Sequence, residues 1–278
     1  MMRRDAAWPL TSAHDATQSI MDRISSMADN HVEEYKMTDR VAYITGGSRG
    51  IGAGIARALA KDGYDVAISY ARNAQAAEET LESIRALGRR AIAIRCDGEG
   101  NGNRAAIQQV VRELGRIDAL VCNAGIYPYG DVAEMTDEQV DAVLGLNVRA
   151  VMIETIEAAR HMTHGGRIVL IGSTFADRSP FPGISLYSAS KSALNGFARG
   201  AARDLGPRGI TINVVQPGPI DTDMNPATGA AADLLRSFMC HKEYGKVSDV
   251  AALVSFLASP AASFITGAAM TTDGGLAA

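Results

Sequence analysis

Tyr187 and Lys191, four residues apart in Tyr187-Ser-Ala-Ser-Lys191, are the residues of this 278-residue chain best suited to move a proton, with Ser173 fourteen positions upstream of Tyr187 and Asn147 earlier still. Positions four apart on a helix share a face, so the Lys191 ammonium is expected near the Tyr187 phenol. Unperturbed tyrosine and lysine titrate near ~10 and ~10.4, and a cation beside the phenol favours phenolate. Proton transfer near neutral pH is the chemistry that follows. Ser173 closes the apolar run Arg167-Ile-Val-Leu-Ile-Gly-Ser173, and a hydroxyl at a strand end is placed to hold a substrate oxygen.

A second group is suited to a phosphate. Val41-Ala-Tyr-Ile-Thr-Gly-Gly-Ser-Arg-Gly-Ile-Gly52 runs from an apolar stretch into glycines and then into an Ala-rich segment, which reads as strand, tight turn and helix. Glycines admit positive φ and close approach, and the free N–H groups of the following helix attract an anion. The spacing Gly46-x-x-x-Gly50-x-Gly52 differs from the commoner Gly-x-Gly-x-x-Gly, because Ile55 occupies the third place after Gly52. After the second predicted strand, Ser69-Tyr-Ala-Arg-Asn73 holds no acid that would accept hydrogen bonds from an adenosine ribose. Arg72 there and Arg49 in the glycine turn are guanidiniums suited to a 2′-phosphate, which predicts NADP(H) over NAD(H).

The elements that must position these groups alternate. Strands are predicted at 65–70, 90–96, 117–122, 167–173, 210–215 and 268–272 after the first at Val41. Helices are predicted at 51–62, 74–87, 103–114, 136–161 with a Thr136/Gln139 capping box, 186–205, and 249–258 capped by Ser248. Alternation of this kind predicts an α/β fold, one doubly wound Rossmann-type domain over 38–278, with a parallel sheet of about seven strands and helices on both faces. Residues 222–246 read as a polar, Ala-rich insertion, and Met224, Leu234, Leu235, Phe238 and Met239 within it suit either an apolar cover or helix packing.

Composition narrows the function. With 47% apolar and 21% charged residues and a net charge of −4 of mixed sign, there is no basic face for nucleic acid and no polybasic membrane anchor. Cys96, Cys122 and Cys240 lie in no Cys-x-x-Cys spacing, so no metal site is predicted and they read as small apolar residues. Ala6-Ala-Trp-Pro-Leu10 is too short for a signal peptide core or a membrane span, and a cytoplasmic location is expected. Residues 1–37 are expected to be a poorly ordered extension. Ile20, Met21, Ile24 and Met27 fit one face of a short helix, and Met37-Thr-Asp-Arg-Val41 would serve as a natural start. An interaction arm and an upstream start remain open.

From Val41 to Gly275 the chain resembles the short-chain dehydrogenase/reductase family. The resemblance implies that the turn Thr45, Gly46, Ser48, Arg49, Gly50, Ile51 and Gly52 binds the dinucleotide, and that Asn123, Ala124 and Gly125 support the sheet beside it. It implies a catalytic group of Asn147, Ser173, Tyr187 and Lys191. Tyr187 would exchange the proton, Lys191 would lower its pKa and hold the nicotinamide ribose, Ser173 would orient the carbonyl, and Asn147 would anchor a water relay. Asp97 would contact adenine, and Pro217, Gly218, Ile220 and Thr222 would clasp the nicotinamide half. The activity implied is NADP(H)-dependent interconversion of a carbonyl compound and a secondary alcohol by a homo-oligomer, a tetramer or dimer, acting on a small molecule.

Two departures bear on substrate. The loop between Ser173 and Tyr187 is one residue longer than in many members. Of two basic residues that dock an acyl carrier protein in 3-oxoacyl reductases of the family, Arg208 matches one, but His164 stands at the other place. The stretches 172–178 and 216–225 also resemble a subgroup whose nucleotide site senses a cyclic dinucleotide, which makes a regulatory protein on the same scaffold the alternative. A purely structural module is the third reading.

Overall fold

The computed structural model describes residues 40–98 and 101–278, and the expectations for residues 1–37 lie outside the described residues. Seven parallel strands form one sheet in the order β3-β2-β1-β4-β5-β6-β7. They are β1 (Val41–Ile44), β2 (Asp65–Tyr70), β3 (Ala91–Arg95), β4 (Ala119–Cys122), β5 (Arg167–Ile171), β6 (Thr211–Pro217) and β7 (Ala269–Thr272). The sheet is built outward from β1. Ile44 registers with Ile68 on one side and Val121 on the other. Strand order reverses between β1 and β4, so a crevice opens above their C-terminal ends, where ligands of open α/β sheets bind.

Both faces are covered, which is why every residue of β1, β4 and β5 is buried and all but Arg167 are apolar. Ala42 and Ile44 point to one core layer, under helices α1 (Gly50–Lys61), α2 (Ala74–Arg85) and the later 247–258 helix. Val41 and Tyr43 point to the other, under α3 (Gly102–Leu114) and the helices that include Ala158 and Leu194. The period-2 alternation of strand side chains thus splits the core into two layers.

Three regions differ from the sequence expectation. The helix expected over 136–161 is α4 (Asp137–Leu144) and α5 (Val151–His161) with a π-helical turn, Gly145–Ala150, between them. The Thr136/Gln139 capping box is present. The extra residue of the wider turn lies where Asn147 bonds away from the helix, and such turns gather at functional sites. The next helix, α6 (Ser185–Leu205), is as expected within a residue. The insertion is not all loop: Ala230-Ala-Ala-Asp-Leu-Leu-Arg has strong helix propensity and forms α7 (Ala230–Phe238). The last helix, α8, begins at Val247. Its first turn is held by the Asp249 carboxylate, which accepts from the Lys246 N–H at 2.7 Å, in place of a Ser248 cap.

Candidate active site

The glycine turn is built to bring backbone, not side chains, to the crevice. Gly46 and Gly50 have φ of +63° and +54°, values an L side chain resists. A Cβ on Gly52 would lie 2.4 Å from the Gly46 carbonyl oxygen and 2.6 Å from Asn123 Nδ2, so only glycine lets α1 start this close to the turn. The turn is fixed from outside. Asn123 Nδ2 donates to the carbonyls of Thr45 and Gly46 at 2.9 and 3.1 Å, and Thr45 Oγ1 accepts from the N–H groups of Asn123 and Ala124 at 3.0 and 3.1 Å. Ser69 Oγ, a residue sequence reasoning did not assign, accepts from Gly46 N–H at 3.1 Å. No side chain caps α1 at Arg49. The first N–H groups of that helix therefore suit an anionic ligand.

Around this turn lie the other residues expected to bind a nucleotide. Arg72 is exposed on the cleft wall, and among the described residues no ion pair engages it. Its neighbour Asn73 caps α2 by accepting from Ala76 N–H at 3.0 Å. Arg49 lies 3.9 Å from Asp223, both largely exposed, a pair of the kind that water screens. Asp97 lines the cleft beyond β3. Gly218 passes so near Asp273 that a Cβ would meet its Cα at 2.5 Å, and Thr222 faces Gly50 across the mouth. Ile220 is buried beneath them, bridged to Gly245. Ser48, Ile51, Gly125 and Pro217 complete the same lining.

At the other end stand the residues expected to transfer a proton, carried by the segment after β5, by α6 and by the π-helical turn. Lys191, fully buried, donates to the Ile171 carbonyl at 2.8 Å, and its Nζ lies 5.8 Å from the centre of the Tyr187 ring. Asn147 is fixed by three bonds. Its Oδ1 accepts from Ile126 N–H at 2.9 Å, and its Nδ2 donates to the Ile126 carbonyl at 2.9 Å and to Ser190 Oγ at 3.1 Å. Gly125 makes room: a Cβ there would sit 3.1 Å from Asn147 Oδ1 and 3.5 Å from Lys191 Nζ. Ser173 Oγ, also buried, accepts from Phe175 N–H at 3.2 Å. Ser190, which orients Asn147, carries no sequence signal apart from its place inside the Tyr-x-x-x-Lys segment.

Electrostatics depart from the expectation of a lowered phenol. Burial pushes Tyr187 up to about 12, against the Ser173 hydroxyl, whose hydrogen bond lowers it. Burial likewise pulls Lys191 down to about 8. Desolvation disfavours the charged form of each and is the largest cause of both shifts. The arrangement can therefore hold a neutral phenol, a proton donor, beside a lysine that keeps most of its charge at neutral pH.

These groups share one cleft of about 1840 Å³, larger than the ~300–1,000 Å³ of an ordinary small-ligand pocket, with room for a dinucleotide and a second molecule. Met224, Leu234 and Leu235 of the insertion line it. Arg208 does not face it: its Nη2 donates to the carbonyls of Ala159, at 2.6 Å, and Met162, closing the C-terminal end of α5. Residues missed in the sequence also line the cleft, among them Tyr127, Tyr129, Phe181 and Glu154. Tyr127-Pro-Tyr129 follows Asn123-Ala-Gly125 closely enough to have been found, whereas Glu154 looks like any helix-surface acid.

Residues 46–277 match the protein-family model described as enoyl-(acyl carrier protein) reductase. The chain is 47% identical over 241 residues to the cyclic-di-GMP-binding biofilm dispersal mediator protein of Escherichia coli K12, covering 87% of this chain and 98% of that one. It is 39% identical over 246 residues to a hydroxynaphthalene reductase of Aspergillus fumigatus, covering 83% and 90%. A short-chain dehydrogenase of Burkholderia cenocepacia J2315, solved in complex with NADP, is similar with a TM-score of 0.86 and 52% identity over 87% of this chain and 99% of that one.

Proposed function

The chain belongs to the short-chain dehydrogenase/reductase family, and from that premise we propose that it is an NADPH-dependent oxidoreductase that reduces a carbonyl compound to a secondary alcohol. The observation that carries the reading is the Tyr187 phenol held in the cleft with Ser173 and with the Lys191 ammonium 5.8 Å from its ring centre. The glycine turn fits the diphosphate of the dinucleotide, since its glycines leave no Cβ in the way, and Arg72 suits a 2′-phosphate. NADPH supplies the hydride that adds to the carbonyl carbon. Ser173 Oγ hydrogen-bonds the substrate oxygen and Tyr187 gives it the phenolic proton as the carbon–oxygen double bond opens, leaving an alcohol and NADP⁺. Lys191 offsets the charge left on the phenolate, which takes its next proton from solvent. Asn147, pinned to Ile126 and Ser190, is the residue that would hold a water on that route.

An absorbance screen of NADPH consumption against ketones, diketones, quinones and 3-oxoacyl thioesters tests the reading, with Tyr187→Phe as its control. The variant is expected to lose at least the ~10²-fold typical of a general acid while still binding NADPH. Retention of more than about a tenth of the rate would remove Tyr187 from the proton-transfer role. A simple ketone is favoured over a carrier-bound 3-oxoacyl group, because Arg208 is already bonded to α5.

The relative named for cyclic-di-GMP binding supports a second reading, a regulatory protein that binds a cyclic dinucleotide in the same cleft. Tight binding of a cyclic dinucleotide together with no turnover of any carbonyl would reverse the order. We also infer a homo-oligomer, since β7 is an edge strand with a partly exposed face and Phe264 is wholly exposed. Light scattering that returns the mass of one chain would remove that inference.

A further inference from the structure

Aromatic rings surround Tyr187 and come from separate parts of the chain. Tyr127, from the loop after β4, meets the Tyr187 ring edge-to-face with centres 4.7 Å apart at 82°. Phe175 stands 6.5 Å from Tyr187 at 76° and 5.5 Å from Phe181 at 84°, and Phe238 of α7 backs Phe181 at 6.4 Å. These rings are set in place. The Tyr129 ring lies against Gly183, whose φ is +89° and whose Cβ, if it had one, would meet that ring at 2.7 Å. Gly130 N–H donates to the Gly183 carbonyl at 3.0 Å, tying the two ring-bearing loops together.

The ring-bearing wall is apolar and only partly covered. Tyr127 is 39% and Tyr129 67% exposed, with Met224 and Leu234 also exposed on the same cleft. A contiguous apolar surface of this kind marks a binding site. No ring residue is charged, and burial holds the Tyr127 phenol above its usual range, so it stays neutral. Arg72 follows β2 and Arg95 ends β3, three and four strand spacings from β5, or about 14–19 Å. A substrate at Tyr187 therefore meets these rings beside the single ammonium of Lys191, while Arg72 and Arg95 stand toward the opposite end.

We propose that the substrate is a planar, aromatic-fused ketone, seated against Tyr127, Phe175 and Phe181 with its carbonyl oxygen at Tyr187; the proposal rests on the reductase reading above. Each edge-to-face or offset ring pair contributes beyond the area it buries, by about two- to tenfold in affinity.

The test compares flat and saturated partners of one shape on the full chain. Calorimetric titration of the NADP⁺-saturated protein with 2-naphthol and decahydro-2-naphthol is expected to give at least tenfold tighter binding of the naphthol. NADPH consumption is expected to give 2-tetralone at least a tenfold higher kcat/KM than 2-decalone. Phe181→Ala is expected to bring both ratios close to one, with its NADPH dissociation constant as the check that the variant is folded. Equal binding and equal kcat/KM in the unmutated protein overturn the aromatic seat and leave the reductase reading intact. No turnover of any ketone overturns the reductase reading, while the naphthol ratio still decides the seat.

Discussion

Arg72 and Glu154 are single residues whose surroundings set a measurable charge effect. Arg72 sits exposed on the cleft wall with no ion pair among the described residues, which suits it to a 2′-phosphate. Arg72→Ala should weaken NADPH by one to two powers of ten, since a charge-assisted bond is worth roughly 1.5–3 kcal/mol, and should leave NADH nearly unchanged. Fluorescence titration at one ionic strength checks it, and equal affinities for both cofactors in the unmutated protein would refute the assignment. Glu154, 3% exposed in α5, is raised by burial to about 7, with the Cys122 thiol hydrogen-bonding to it and Tyr43 and Cys96 nearby. Between about 4.5 and 7 the folded chain keeps a proton that the unfolded chain gives up. Glu154 thus contributes stability at low pH that is lost as pH rises through about 7. Against the unmutated protein, Glu154→Gln should gain on the order of 3 kcal/mol at pH 8 relative to pH 5. Denaturant unfolding of both proteins at the two pH values measures it, and a difference that does not change with pH would show that Glu154 does not titrate there.

At the scale of elements, the turn between β1 and α1 is the most exacting junction. A Cβ at Gly52 would overlap the Gly46 carbonyl, so Gly52→Ala must push the turn away from α1. Overpacking of this sort costs about 1–3 kcal/mol, and the displaced N–H groups should raise the NADPH dissociation constant at least tenfold. Gly88→Ala is the matched comparison. Gly88 also has a positive φ, +76°, but open space around it, so it should cost only backbone strain of about 1–2 kcal/mol and leave NADPH binding alone. Equal losses of NADPH affinity in the two variants would show that the Gly52 contact has no special role. The π-helical turn illustrates a different dependence. Thr136 and Gln139 announce where the helix begins, but nothing in the 145–150 pattern announces the wider turn, because its partners Ile126 and Ser190 lie about twenty and forty residues away.

For the molecule as a whole, the described residues that line the cleft lie between Thr45 and Leu235, and a chain beginning at Met37 should bind NADPH with an unchanged dissociation constant. Loss of binding or of soluble protein would show that residues 1–36 take part. The sequence by itself determined what short-range chemistry determines. Glycine spacing specified a turn without side chains, the four-residue spacing of Tyr187 and Lys191 put them on one helix face, and alternating apolar runs specified a parallel α/β sheet. Only the tertiary structure decided what depends on neighbours far along the chain. The strand order gathers residues 45, 72, 123, 147, 173, 187 and 218 at one end of the sheet. Packing brought Arg208 to the end of α5, where it holds the Ala159 and Met162 carbonyls. It also set aromatic side chains from two separate segments against Tyr187 and raised its phenol where the neighbouring lysine alone would have lowered it. Desolvation is the reason for that reversal: it is set by everything that excludes water around a group, and spacing along a chain carries no record of it.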